Sequence, residues 1–212
     1  MKKKNIITSV ILTVVSVIYT ILVKVVDKDS IGPNGSVVGF SKLNEAFKNL
    51  IGSNMTIYKI TEVLGLLMFL IVLIYACIGL GQLIKRKNLL KVDKEIISIG
   101  VLYVLMLSVY VLFEKLVINY RPILIDGVLE ASYPSSHTIL ALCIGLSSLI
   151  ASKRYFNKKY IKQINIITIV LMSLVLLGRI ISGVHWISDI IGGIIISLTL
   201  VSYFKTAVEW NK

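Results

Sequence analysis

Within the segment Gly178-Arg179-Ile180-Ile181-Ser182-Gly183-Val184-His185-Trp186-Ile187-Ser188-Asp189, an arginine, a histidine and a carboxylate stand at the junction of two hydrophobic runs. Ionisable groups in apolar surroundings are costly, so each one there needs a reason. If the segment is helical, His185 and Asp189 share one face, and the carboxylate can hold one ring nitrogen while the other points outward. That prepares an imidazole as a nucleophile or base. Arg121-Pro122 and then Pro134-Ser135-Ser136-His137 add a second cation, two hydroxyls and the other histidine of the chain. A phosphoryl transition state spreads negative charge over its equatorial oxygens, and guanidinium forks and helix-start N–H groups are suited to bind them. Pro134-Ser135-Ser136 reads as such a helix start, because proline suits a first turn where its missing donor has no partner to lose. The two sets together read as a phosphate site. His185 is then the candidate nucleophile, and His137, with no acid beside it in sequence, the candidate proton donor.

The elements that must carry these residues are membrane spans. Apolar residues make up 56% of the 212 positions, and the mean hydropathy is +0.87, well above an ordinary soluble domain. Uncharged runs at Ile6 to Val23, Val63 to Ile84 and Ile96 to Phe113 are long enough, or nearly so, to cross a hydrocarbon core of roughly 30 Å as helices. Thr138 to Ser152, Gln163 to Gly178 and Ile190 to Phe204 are shorter and become spans only when their polar ends are included. Those ends hold His137, Arg179, His185 and Asp189. The expected fold is therefore all-α, a six-transmembrane-helix bundle with its active site at the outer membrane interface.

A net charge of +12 permits nucleic-acid binding in principle, but the cations sit in short blocks between spans, so no nucleic acid partner is expected. Lys2 to Lys4, then Lys85 to Lys94, then Lys153 to Lys162 mark alternate connections and the termini as cytoplasmic. Every candidate catalytic residue then falls on the opposite, outer face. The chain reads as one integral membrane domain over 1-212, with a first anchor span at 5-26, an outer connector at 27-56 and catalytic spans within 93-205. No small-residue cleavage site follows Val23, so the first span reads as a retained anchor. In the connector, Ser41 is placed to cap a short interfacial helix with Leu43, Ala46, Phe47, Leu50 and Ile51 on one side. Cys77 and Cys143 lie inside spans and read as packing residues. Tyr133 and Trp186 read as interface aromatics, and Asp126 and Glu130 as solvated loop acids.

Taken in order, Arg121-Pro122, Pro134-Ser135-Ser136-His137 and Arg179 with His185 and Asp189 resemble the three motifs of the type 2 phosphatidic acid phosphatase (PAP2) superfamily of membrane lipid phosphatases. The resemblance implies that His185 attacks phosphorus, that Asp189 orients it and that His137 protonates the leaving oxygen. It further implies that Arg121, Arg179 and Ser135 bind phosphate oxygens; Ser136 is a further phosphate-binding candidate on the strength of its own hydroxyl. Three positions depart from the family pattern. Glu114 stands where a lysine usually opens the first motif, with Lys115 one place on; Ser136 replaces a glycine, and Gly178 a serine. One residue turns a helix by about 100°, so Glu114 and Lys115 do not point the same way. Glu114 is expected to face inward as an arginine partner and Lys115 to face the head-group layer.

The expected activity is hydrolysis of a lipid phosphomonoester or pyrophosphate through a phosphohistidine intermediate, without metal or other cofactor. Undecaprenyl pyrophosphate, phosphatidic acid and phosphatidylglycerophosphate are the leading substrate types, and membrane lipids the only other partners expected. The expected location is a bacterial plasma membrane, with the active site extracytoplasmic. Two alternatives stay open: a lipid phosphotransferase of the same superfamily, and a non-catalytic protein that binds or transports anionic lipid through Arg121 and Arg179.

Overall fold

Apolar runs become helices that outlast them, because a backbone leaving the hydrocarbon keeps its hydrogen bonds most cheaply by continuing the same helix. The structure, a computed structural model, describes residues 2–210. Its helices are α1 (Lys2–Val25), α2 (Ser41–Ile51), α3 (Met55–Arg86), α4 (Lys94–Lys115), α5 (Ser136–Tyr155), α6 (Lys158–Ser182) and α7 (Ile187–Trp210). All but α2 are long and apolar enough to cross a membrane, making this a multi-pass integral membrane protein. Among the described residues, β pairing is limited to isolated bridges.

α3 has 32 residues and so extends for about 48 Å, longer than the hydrocarbon is thick. It starts at Met55, capped by the Asn54 side chain, which accepts from Ile57 N at 3.0 Å. Its first turns thereby carry Tyr58 and Glu62 to the end of the bundle where the site lies. At the opposite end, Arg86 pairs with Asp93 at 2.8 Å, and Arg154 pairs with Glu95 and, at 3.6 Å, with Asp93.

α5 is the central helix, packed against α3, α4, α6 and α7. Small residues let it serve that purpose: Ala141, Gly145, Ser147, Ser148, Ala151 and Ser152 all face neighbours rather than lipid. A Cβ on Gly145 would lie 2.6 Å from Met172 Sδ, a measure of how closely α6 crosses it. α1 packs on α7 through hydroxyl pairs, Ser16 with Thr199 at 2.8 Å and Thr13 with Tyr203 at 3.0 Å. Its other faces are apolar and open to lipid.

The expected helix in the outer connector is present as α2, but its cap differs. Ser41 is its first residue, and the Asp27 carboxylate accepts from Lys42 N at 3.0 Å. A carboxylate suits the unpaired N–H groups of a helix start better than a hydroxyl does. Its buried contact is also polar: Asn44 is buried, while Leu43 and Leu50 are exposed.

Candidate active site

The site is assembled from three connections at one end of the bundle. Between α4 and α5 the chain folds back on itself around Asp126-Gly127, both at positive φ (49° and 79°), as a tight hairpin turn requires. Bridges between Tyr120 and Ala131 and between Ile125 and Val128 hold the two arms together. Arg121 sits on one arm and Ser132 at the end of the other. Between α6 and α7 the chain turns at Gly183, whose φ is +60° and where a Cβ would lie 1.9 Å from the Gly52 carbonyl oxygen. Only glycine fits both demands. His185 lies in the short turn that follows.

His185 therefore precedes α7 rather than lying on it, and the expected helical pairing with Asp189 does not form. His185 Nδ1 instead lies 3.1 Å from the backbone carbonyl oxygen of Ser132. A carbonyl oxygen only accepts, so Nδ1 carries the proton and Nε2 the lone pair. Nε2 is buried without a hydrogen-bond partner. Burial, and then the positive charges of Arg121, Arg179 and His137, hold the His185 imidazole well below the usual histidine range. A neutral ring with a free lone pair at Nε2 is the state a nucleophile needs.

Asp189 instead knits the turn together. Its carboxylate accepts from Ser132 Oγ at 2.6 Å, Asn119 Nδ2 at 3.1 Å and Trp186 N at 3.1 Å. The last of these is a reach-back cap, the third helical residue of α7 bonding the N–H just before the helix. Its backbone carbonyl oxygen accepts from Ser135 N at 3.1 Å, joining this turn to the start of α5. Asp189 thus acts on His185 through Ser132.

Arg179 and Arg121 differ in access. Arg179 is completely buried at 0% exposure, with Tyr58 stacked 4.9 Å from it and its Nη2 bonded to Glu62. Its Nε and Nη1 have no partner. Arg121 pairs with Glu130, Nε to Oε2 at 2.9 Å, so Glu130 is no idle loop acid and takes the place expected of Glu114. Two positions of the hairpin bring this about, since Arg121 N also bonds Glu130 O across the arms.

His137 lies in the first turn of α5 with Nε2 3.5 Å from Glu62 Oε1 and with Nδ1 unpartnered. Gly65 leaves room for its ring, since a Cβ there would be 2.8 Å from His137 Cδ2. Ser135 is fully buried and accepts from Thr138 Oγ1 at 3.0 Å, so its hydroxyl is turned away from the open space; Ser136 is the serine that faces it. Glu114 lines the open space and Lys115 does not, as expected from their one-residue offset.

That open space is a polar cavity of about 550 Å³ bounded by Tyr58, Glu62, Glu114, Arg121, Glu130 and His137. A small recess of about 20 Å³, beside His185 and Ser132, shares Glu114, Arg121 and Ser136 with it. A largely apolar cleft of about 240 Å³, bounded by Phe69, Met106, Leu107 and Leu140, reaches the same Ser136 and His137.

Four supporting residues escaped the sequence reading: Ser132, Asn119, Asn44 and Glu62. Asn119 Oδ1 also accepts from Gly39 N at 3.1 Å, and Asn44 bonds Ser188 Oγ at 2.9 Å and Ser188 N at 3.1 Å. Nothing in their local spacing marks them. Tyr133 and Trp186, expected at the membrane interface, are buried supports: Trp186 Nε1 donates to Tyr120 O at 2.7 Å, and Tyr133 OH pairs with Thr20 at 2.7 Å.

The sequence model of the PAP2 superfamily matches residues 66–212. The fold is similar to the crystal structure of a transmembrane PAP2 type phosphatidylglycerolphosphate phosphatase from Bacillus subtilis, with a TM-score of 0.64 and 21% identity over 96% of this chain and 97% of that one. No curated protein matches the sequence. The match covers most of the chain, including Arg121, His137, Arg179, His185 and Asp189, and the chain belongs to the PAP2 superfamily.

Proposed function

We propose that this protein hydrolyses the phosphate ester or diphosphate of a membrane lipid through a phosphohistidine intermediate. The observation that carries the reading is the free, buried Nε2 of His185, whose lone pair is set by the Nδ1–H bond to Ser132. In the first step Nε2 bonds to phosphorus while the bond from phosphorus to the lipid oxygen breaks, and His137 gives that oxygen a proton. In the second step water attacks phosphorus, the N–P bond breaks, and His137 takes the proton of the water. Arg121 and Arg179 bind the equatorial oxygens, Ser136 adds a hydroxyl donor, and the N–H groups of the first turn of α5 present the positive end of its dipole. Ser135 serves by fixing that turn to Asp189.

The polar cavity beside an apolar cleft suits a substrate with a charged head and a hydrocarbon tail. Phosphatidylglycerophosphate, the substrate type in the description of the Bacillus subtilis structure, belongs on the substrate panel with phosphatidic acid and undecaprenyl pyrophosphate. The lysine and arginine clusters at the far end of the bundle favour an extracytoplasmic site in a bacterial plasma membrane. The test is release of inorganic phosphate from that panel by detergent-solubilised protein, followed by a search for acid-labile protein-bound phosphate after rapid quenching. A protein that releases no phosphate from any member, or releases it equally well as His185→Ala, is not this enzyme.

A further inference from the structure

Arg179 does not border the polar cavity, although it belongs to the phosphate site; Glu62 stands between them. The same carboxylate oxygen, Oε1, bonds Arg179 Nη2 and lies 3.5 Å from His137 Nε2. On the reading above, Arg179 must contact the transferred phosphoryl group and His137 the leaving oxygen. Glu62 Oε1 therefore occupies a position between the two groups that the substrate needs. We propose that Glu62 is a displaceable internal anion, which holds Arg179 and His137 while the site is empty and gives way to the substrate phosphate.

The physical argument rests on burial. A guanidinium at 0% exposure with no acceptor is heavily penalised, so the empty site requires an anion beside Arg179. Glu62 supplies it from a side chain that is 40% exposed, with the open cavity as room to swing into water. The pair is thus asymmetric, a fixed cation and a mobile anion. His137 cannot protonate a leaving group through Nε2 while that nitrogen faces Glu62, so release of Glu62 frees the donor as it frees the arginine. Arg179 Nε and Nη1 have no hydrogen-bond partner and are free to take further phosphate oxygens. Glu62 would then set how tightly phosphate is held, by competing with it, more than how fast phosphorus is attacked.

The inference depends on the phosphatase reading, and equilibrium binding separates the two. Inorganic phosphate is titrated calorimetrically into detergent-solubilised wild type, Glu62→Gln, Glu62→Asp and Glu45→Gln. Glu62→Gln keeps the size and a carbonyl acceptor for Arg179, and size exclusion with thermal unfolding verifies the fold. Both Glu62 variants should bind phosphate about tenfold more tightly or better, and KM for a soluble phosphoester should fall with the dissociation constant. Glu62→Asp is decisive, because it keeps the charge and loses the reach; Glu45→Gln, which removes an exposed charge on α2 away from the cavity, should change affinity less than threefold. If Glu62→Asp binds phosphate no more tightly than wild type, or if the Glu62 variants lose kcat with KM unchanged, Glu62 stays in place during turnover and the proposal is wrong. If no variant binds phosphate and wild type hydrolyses nothing, the functional reading itself has failed along with it.

Discussion

Ser132 faces His185 through its carbonyl oxygen, 3.1 Å from Nδ1. Its hydroxyl meanwhile donates to Asp189 Oδ2 at 2.6 Å, so the acid steadies the imidazole at one remove. A carboxylate bonded directly to the ring would stabilise an imidazolium; a carbonyl fixes the tautomer with no full charge beside it. The His185 ring is consequently kept neutral and aimed, the state the proposed nucleophile requires.

His185→Ala should abolish phosphate release while leaving a folded, membrane-inserted protein. Ser132→Ala keeps the carbonyl and removes only the hydroxyl, so it should lose about tenfold in kcat, about 1.4 kcal/mol of transition-state stabilisation. Asp189→Asn should cost more than Ser132→Ala in both rate and thermal stability, because its carboxylate accepts from four groups, two on each oxygen, and an amide NH2 would oppose two of them. Steady-state kinetics and thermal unfolding of the three variants check the order, and a fully active Asp189→Asn enzyme would contradict it.

The depressed basicity of His185 fixes a pH signature. The nucleophile is present above its pKa and lost as pH falls through it, so the limb of kcat/KM due to His185 should lie below about 6.5, the ordinary histidine value. Arg121 is the second cause of the depression after burial. Arg121→Gln removes that positive charge and eases protonation, so the limb should move toward higher pH. A pH–rate profile on a soluble phosphoester reads both effects, and a limb that moves the other way would refute the assignment.

Gly178 is required by the helix crossing that makes the Glu62–Arg179 pair. A Cβ there would lie 2.3 Å from Thr61 Cγ2, which a stiff β-branched side chain cannot relieve. Gly178→Ser should destabilise by about 1–3 kcal/mol and lower activity. Thr61→Ser, which deletes the opposing methyl, should restore much of both in the double variant. Independent, additive losses in thermal unfolding would mean that the crossing is not the reason for the glycine.

Glu114 borders the cavity and Lys115 does not, so their substitutions should separate. Lys115→Ala should leave turnover of a soluble substrate within about twofold of wild type, whereas Glu114→Gln should alter KM and the ranking of mono- against diphosphates by removing repulsion. Loss of most activity in Lys115→Ala beside an unchanged Glu114→Gln would reverse the assignment.

Chelators should leave activity intact and vanadate should inhibit. Among the described residues, no three His, Cys, Asp or Glu side chains converge as a metal site. Vanadate adopts the five-coordinate geometry of an in-line displacement and offers its oxygens to Arg121 and Arg179. Phosphate-release assays with a chelator and with vanadate supply the measurement; strict dependence on a divalent ion would point to a different mechanism.

The sequence by itself determined the spans, the shared face of the three motifs and the identity of the ionisable residues. An uncharged run flanked by lysines has one inexpensive disposition in a bilayer, and a histidine or arginine at the end of such a run has one place to be. That Glu114 and Lys115 point different ways follows from one residue of helical rotation; which of them borders the cavity does not. Which groups touch was decided by the tertiary structure. Asp189 meets Ser132 because the chain turns at Gly183 before α7 begins, a local break that moves His185 off the helical face its spacing suggests. Glu62 reaches Arg179 because α3 extends past the hydrocarbon and crosses α6 closely over Gly178, joining residues far apart in the chain. A buried guanidinium must find an anion, but its position along the sequence does not say which one; only the packing of the helices selects among the glutamates at that end of the bundle.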